Sequence, residues 1–259
     1  MDLKINGKRA LVTGGSGGLG AAAAAVLADA GAEIWLTDID EEKVAETAAK
    51  IGAKSVAADL STTEGAQALF QATGEVDILV HAAGVTGAKG DPLQMTDEDW
   101  NEALQVDFMS AVRVARLYGP AMLKAGWGRM VFVTSENAAQ PYPDETVYNV
   151  AKIGVASFAK SISMAHAGKG LLANCVAPAF IETPMTDGMM EKEAKKRGVS
   201  REEAVKAFLD EERPFLALKR RGRPEEVAPV IALLASELAS FVAGANWRVD
   251  GGSVGSIEI

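Results

Sequence analysis

The stretch from Leu11 to Ala32, LVTGGSGGLGAAAAAVLADAGA, admits very few folds. An apolar run breaks into glycines and passes straight into an alanine-rich segment, the pattern of a strand, a tight turn and a helix. Gly14 permits the sharp turn, Gly18 lets the main chain come close to a bound group, and Gly20 lets the helix pack tightly on the sheet. Together with Ser16, Gly17 and Leu19 they surround a helix N-terminus whose free N–H groups and partial positive charge suit a pyrophosphate. Glycines alone would signal only a turn; the strand before and the helix after favour dinucleotide binding.

The pattern repeats along the chain. ALVTGG, EIWLTD, SVAAD, DILVHAAG, RMVFVTS, LLANCVAP and NWRVDGG read as short buried strands. Between them the sequence predicts helices over Leu19–Ala30, Glu41–Ile51, Thr63–Ala72, Asp97–Ala125 and Val147–Ala167. Such alternation implies an α/β architecture, a doubly wound (Rossmann) parallel sheet with helices on both faces. With no linker or composition break, residues 1–259 read as a single domain. The charged segment 185–226 departs from the alternation and reads as a helical insertion placed to cover a site beyond the strand ends.

Bulk properties exclude several classes. A net charge of −9 leaves no general basic character for nucleic acid. No apolar run approaches the roughly 20 residues of a membrane span. The first residues lack a signal-peptide pattern, so a cytoplasmic location is expected. The single cysteine, Cys175, permits no intrachain disulfide and reads as a small buried side chain. His81 and His166 show no ligand spacing, so no metal is expected.

Two further features carry chemistry. Asp38 ends the second predicted strand, where a carboxylate accepts hydrogen bonds from ribose hydroxyls and repels a 2′-phosphate. No basic residue flanks it at Thr37 or Ile39, so NAD is the expected cofactor; the competing reading of Asp38 is a helix N-cap. Downstream, VYNVAK sets Tyr148 and Lys152 four residues apart on one helix face.

Thr13-Gly14-x-x-x-Gly18-x-Gly20 with Tyr148-x-x-x-Lys152 resembles the short-chain dehydrogenase/reductase family over essentially the whole chain. The resemblance implies hydride transfer between a secondary alcohol or ketone and a nicotinamide, with Tyr148 moving the hydroxyl proton, Lys152 assisting it and Ser135 holding the substrate oxygen. Bringing a phenol down by about 3 pKa units takes about 4 kcal/mol, which a nearby ammonium and a cationic nicotinamide would supply. The resemblance also places Ile39, Asp59, Leu60, His81, Ala83, Gly84, Pro178, Ile181 and Thr183 along the cofactor. Three positions depart from it. Asp107 stands where the family has an asparagine that holds a water through its backbone carbonyl; that backbone role is expected to survive, the alternative being a carboxylate acting on Lys152. His81 replaces an asparagine and reads as a neutral, structural imidazole. Ala179 replaces a glycine beside the nicotinamide.

Ser135, Glu136, Asn137, Tyr142, Phe180, Met185, Met189 and Met190 are the expected substrate lining, suited to a medium-sized apolar or cyclic ketone or secondary alcohol. The runner-up readings are a 3-oxoacyl-carrier-protein reductase, for which Arg113, Arg116 and Arg129 could form a docking patch, and a non-catalytic dinucleotide-binding regulator. The resemblance further implies a homotetramer through the two long helices.

Overall fold

The computed structural model describes residues 1–257; Glu258 and Ile259, included in the expected domain, lie outside the described residues. Seven strands form along the chain: β1 (Arg9–Thr13), β2 (Glu33–Asp38), β3 (Lys54–Ala57), β4 (Ile78–His81), β5 (Gly128–Val133), β6 (Leu171–Pro178) and β7 (Asn246–Val249). All are parallel, in the order β3-β2-β1-β4-β5-β6-β7. The order reverses between β1 and β4, and the crevice beyond those C-terminal strand ends is where such sheets bind ligands.

Helices α1 (Gly18–Asp29), α2 (Glu41–Ile51), α3 (Thr63–Thr73), α4 (Asp97–Ala103), α5 (Ser110–Ala125), α6 (Thr146–His166), α7 (Pro184–Arg197), α8 (Arg201–Glu211) and α9 (Pro224–Leu234) complete the architecture. Strand alternation divides the core. Ala10, Val12, Val131 and Val133 meet α1 and α9 on one face, while Leu11, Met130 and Phe132 meet α3, α5 and α6 on the other. The alanines of α1 serve close packing, with Ala23 and Ala24 fully buried against that first face.

Two local features differ from the sequence expectation. The helix expected over Asp97–Ala125 is interrupted by a π-helical turn, Leu104–Met109, between α4 and α5. The extra residue in a π turn shifts the side-chain phase, and it carries Asp107 into the interior. Segment 185–226 begins as two helices, each started by a capping box at Thr183 and Ser200. Phe180, Met190, Leu209 and Leu216 form a small apolar core beneath them. Met190 is thus a packing residue, and Phe180 lines only a small cavity of about 90 Å³ with Leu216 and Leu218.

Candidate active site

A cavity of about 690 Å³ opens beyond the C-terminal ends of β1, β2, β4, β5 and β6, within the usual range for small-molecule and cofactor sites. One half is built from main chain. Gly14 has φ +66°, and a Cβ there would lie 2.8 Å from the Ala82 carbonyl carbon. A Cβ on Gly20 would run into the Gly14 carbonyl oxygen. Gly18 also holds a positive φ of +55°. No side chain caps α1 and no carboxylate occupies its first turn, so its N–H groups remain available to an anion.

Asp38 is free for the same cavity. Its rival role falls to Asp40, whose carboxylate accepts from Lys43 N at 3.1 Å and caps α2. Asp38 itself accepts from Ser16 N at 3.1 Å and Ile39 N at 2.8 Å, which orients it at the end of β2. Lys43, absent from the sequence reading, lines this end too, with its ammonium 2.5 Å from Asp40. The Thr37 hydroxyl, also in the lining, finds no partner among the described residues. Ser16, Gly17, Leu19, Ile39, Asp59, Leu60, Ala83, Gly84, Pro178, Ile181 and Thr183 all line the cavity.

His81 does not reach the cavity, because its ring is buried behind the loop that does. The Ser110 hydroxyl donates to Val106 O at 2.5 Å and so accepts from His81 Nε2, 3.1 Å away. That fixes the proton on Nε2 and leaves Nδ1 to accept from Thr13 Oγ1 at 2.9 Å. Thr13 Oγ1 in turn accepts from Ala82 N and Ala83 N, both at 3.2 Å. Burial, reinforced by the Lys152 charge, pulls the imidazole down to about 3. The ring is therefore a neutral brace spanning β1, the turn after β4 and α5.

The three residues expected to do chemistry converge. Ser135, following β5, and Tyr148 and Lys152, on successive turns of α6, all line the cavity. Lys152 Nζ lies 5.3 Å from the Tyr148 ring centre and 3.5 Å from Val133 O. The Asp107 side chain joins them, as the alternative to a purely backbone role foresaw, for its Oδ1 stands 3.2 Å from Lys152 Nζ. The same oxygen accepts from Val85 N at 3.0 Å, while Oδ2 finds no partner among the described residues. Gly84 is what admits the pair: a Cβ there would strike Asp107 Oδ1 and come within 2.9 Å of Lys152 Nζ.

Burial, with this carboxylate second, acts against the lowering of the phenol that Lys152 would bring. Burial raises the Tyr148 phenol above its ordinary value, Asp107 and Glu136 raise it further, and hydrogen bonding to Ser135 offsets only part. Burial likewise raises Asp107, with Lys152 and Val85 N acting against it. Burial first, and the two carboxylates after it, hold the Tyr148 phenol protonated.

Behind Ser135 lies a buried polar cluster that sequence reasoning missed in its arrangement. Ser135 Oγ sits 2.8 Å from Glu136 Oε2 and 2.9 Å from Asn137 Oδ1. Arg213, from the chain after α8, approaches Glu136 at 3.6 Å and Glu145 at 3.4 Å. Its guanidinium also lies 3.5 Å over the Tyr142 ring. Lys89 pairs with Glu145 at 2.5 Å, and Asn137 donates to Glu145 at 2.6 Å and Asn149 at 2.8 Å. Asn137 and Tyr142 are thus supports and not cavity lining, and Met189 packs beside Lys89 at 4.0 Å. Of the expected substrate residues, only Ser135 and Met185 reach the cavity, where Met185 Sδ meets Thr86 Oγ1 at 3.5 Å.

Comparison with known proteins agrees with this geometry. The family model described as Enoyl-(Acyl carrier protein) reductase matches residues 14–254. An uncharacterized oxidoreductase of Bacillus subtilis, YvaG, is 34% identical over 99% of this chain and 100% of its own length. The 3-oxoacyl-(acyl-carrier-protein) reductase FabG of Aquifex aeolicus is 34% identical over 97% of this chain and 99% of its own. L-Sorbose reductase from Gluconobacter frateurii, solved with NADPH and L-sorbose, superposes with a TM-score of 0.90 at 31% identity, covering 99% of this chain and 100% of that one. The chain belongs to the short-chain dehydrogenase/reductase family and is an oxidoreductase.

Proposed function

We propose that this protein reduces a ketone to a secondary alcohol with NADH, the reverse reaction using the same groups. The observation that carries the reading is the convergence of Ser135, Tyr148 and Lys152 on a cavity whose other half is a glycine turn at an uncapped helix N-terminus. A dinucleotide fits that half: glycines stand where a Cβ would collide, and the Thr37 hydroxyl is free for a partner. Ser16, Gly17 and Leu19 would hold the pyrophosphate, Asp38 the adenosine ribose, Asp59 and Leu60 the adenine side, and Ile181 and Thr183 the nicotinamide side. The nicotinamide, when bound, donates or accepts the hydride.

The chain's own residues handle the proton. Tyr148, kept protonated by burial and by Asp107, gives its phenolic proton to the carbonyl oxygen as hydride arrives at carbon. Ser135 supplies a second hydrogen bond to that oxygen as negative charge builds on it. Lys152 holds positive charge beside the phenol, and Asp107 keeps that ammonium in place. Segment 185–226 covers the site, with Pro184, Met185 and Thr186 at its mouth.

NADH is favoured over NADPH because the Asp38 carboxylate, oriented at the end of β2, would accept from the ribose hydroxyls and repel a 2′-phosphate. Lys43 is the counterargument, since its ammonium lines the same end, but it is engaged by Asp40. Carrier-protein reduction is the second reading, supported by the FabG likeness. The expected docking patch does not assemble, however: Arg129 is buried at the opposite strand end, bonded to Ser236 O and Glu237. Arg113 is turned onto Leu60 O and Gln105.

The test is an assay of L-sorbose, cyclohexanone and a 3-oxoacyl thioester of coenzyme A, each with NADH and with NADPH, followed by nicotinamide absorbance. Turnover with NADH is expected. Activity with NADPH alone would refute the cofactor assignment, and none with any carbonyl compound would refute the reaction. A homotetramer and a cytoplasmic location complete the proposal; light scattering decides the first.

A further inference from the structure

We propose that Glu136 is a positioning residue that decides where the Ser135 hydroxyl proton points, and that Arg213 ties this decision to the helical segment over the cavity. The inference rests on Ser135 acting at the carbonyl oxygen, as proposed above. Ser135 Oγ has one proton and four protein neighbours: Glu136 Oε2 at 2.8 Å, Asn137 Oδ1 at 2.9 Å, Asn137 N at 3.3 Å and the Tyr148 hydroxyl, which hydrogen-bonds to it from the cavity side. An ionised Glu136 accepts only, and a charged acceptor outcompetes a neutral amide, so the Ser135 proton turns away from the cavity. A carbonyl oxygen is also only an acceptor, so it then receives one hydrogen bond, from Tyr148. A protonated Glu136 instead donates to Ser135 Oγ, which leaves the serine proton only the neutral Asn137 Oδ1 as a protein acceptor and lets the more strongly accepting, charge-building substrate oxygen take it. The one bond formed is the Glu136 carboxyl O–H, its proton given up by hydronium in solvent, and that proton stays on Glu136.

The surroundings place this change at neutral pH. Glu136 is 4% exposed. Burial carries it up to about 7, against the opposing pull of Arg213 and of Ser135. The groups facing it are Arg213 from the chain after α8, Glu145 from the turn before α6, and Tyr148 on α6. Tyr142, beneath Arg213, also feels its charge. Glu145 stays ionised, since burial alone would raise it but Lys89, Arg213 and Asn137 hold it below the usual carboxylate range. Of the two carboxyl groups, Glu136 is therefore the one that changes charge near pH 7. Arg213 opposes its protonation, so any displacement of the α7–α8 segment that withdraws Arg213 favours the protonated, donating form.

The experiment is the pH profile of kcat/KM for carbonyl reduction, using whichever of L-sorbose, cyclohexanone and the 3-oxoacyl thioester turns over fastest. Between about pH 6 and about pH 8.5 the unaltered enzyme should fall to a plateau roughly 10- to 100-fold lower, the range for losing one hydrogen bond involving a charged group. Glu136→Gln, whose amide donates to Ser135 at every pH, should make the profile flat. Arg213→Met should move the fall to higher pH, a change that loss of packing would not cause. In parallel, the infrared band of protonated carboxyl groups in the cofactor-bound enzyme should shrink over the same range, and that shrinking part should be missing in Glu136→Gln. A flat profile in the unaltered enzyme, or an unchanged one in Glu136→Gln, overturns the proposal even if these variants fold poorly elsewhere. An infrared titration with a flat profile leaves the reductase reading intact and sinks this inference alone. Absence of turnover with every carbonyl compound removes both.

Discussion

The two halves of the cavity are built from different materials. The cofactor half uses main chain: glycines at Gly14, Gly18 and Gly20, an uncapped helix end and one oriented carboxylate. The substrate half uses buried ionisable side chains, with Asp107 on Lys152 and Glu136 and Glu145 on Arg213. Main-chain recognition does not titrate, and it fails only by collision. Buried charges are adjustable, and each depends on its partner because removing one leaves the other uncompensated. Under the proposed function, fixed binding and tunable proton chemistry are thereby separated within one cleft.

The largest expected effect falls on the chemistry. Tyr148→Phe removes the proton donor but touches none of the glycine turn. Turnover should fall at least about a thousandfold, within the range of general acid–base contributions, while fluorescence titration still shows cofactor binding. Persisting turnover would mean that the proton comes from elsewhere. Gly20→Ala tests the other half, since its Cβ meets the Gly14 carbonyl oxygen. Overpacking of this kind costs about 1–3 kcal/mol. The same titration should show cofactor affinity lost, with a lowered unfolding midpoint. Unchanged affinity would show that the turn has slack.

Asp38→Ala comes next. It removes the carboxylate held by Ser16 N and Ile39 N while leaving Lys43 in the lining. The ratio of NADH to NADPH activity should drop roughly tenfold or more, the value of one hydrogen bond to a charged group. A ratio that does not move would transfer cofactor choice to Lys43.

The same contrast explains what was legible in the sequence. Glycine spacing and strand–helix alternation depend on near neighbours in the chain, so the seven described strands, the turn and Asp38 could be read directly, whereas Ser135 and its grouping with Tyr148 and Lys152 came from the family resemblance. The π-helical turn could not, because LQVDFMS has ordinary helical composition and the turn is set by what packs on it. The substrate cluster joins Lys89, Glu136, Glu145 and Arg213 from four distant stretches. No local pattern announces such a set, and Arg213 in DEERPF looks like one more solvated charge. Asn137, Tyr142, Phe180 and Met189 were near the right place in sequence but lie behind the cavity wall.

The smallest expected effect is the most discriminating, because it tests whether the charged half is adjustable. Asp107→Asn keeps an acceptor for Val85 N and nearly the same volume, but removes the negative charge from beside Lys152. Asp107 is second only to burial in raising Tyr148, so its loss must bring the phenol down. A group lowered in this way ionises at lower pH. Alcohol oxidation needs the phenolate, so the rising limb of its pH profile should move to lower pH. Carbonyl reduction needs the phenol, so it should lose activity at alkaline pH before the unaltered protein does. Cofactor affinity should change little, since the glycine turn is untouched. If both limbs stay in place, Asp107 acts only through its backbone, and the carboxylate on Lys152 does no more than fill the space beneath Gly84.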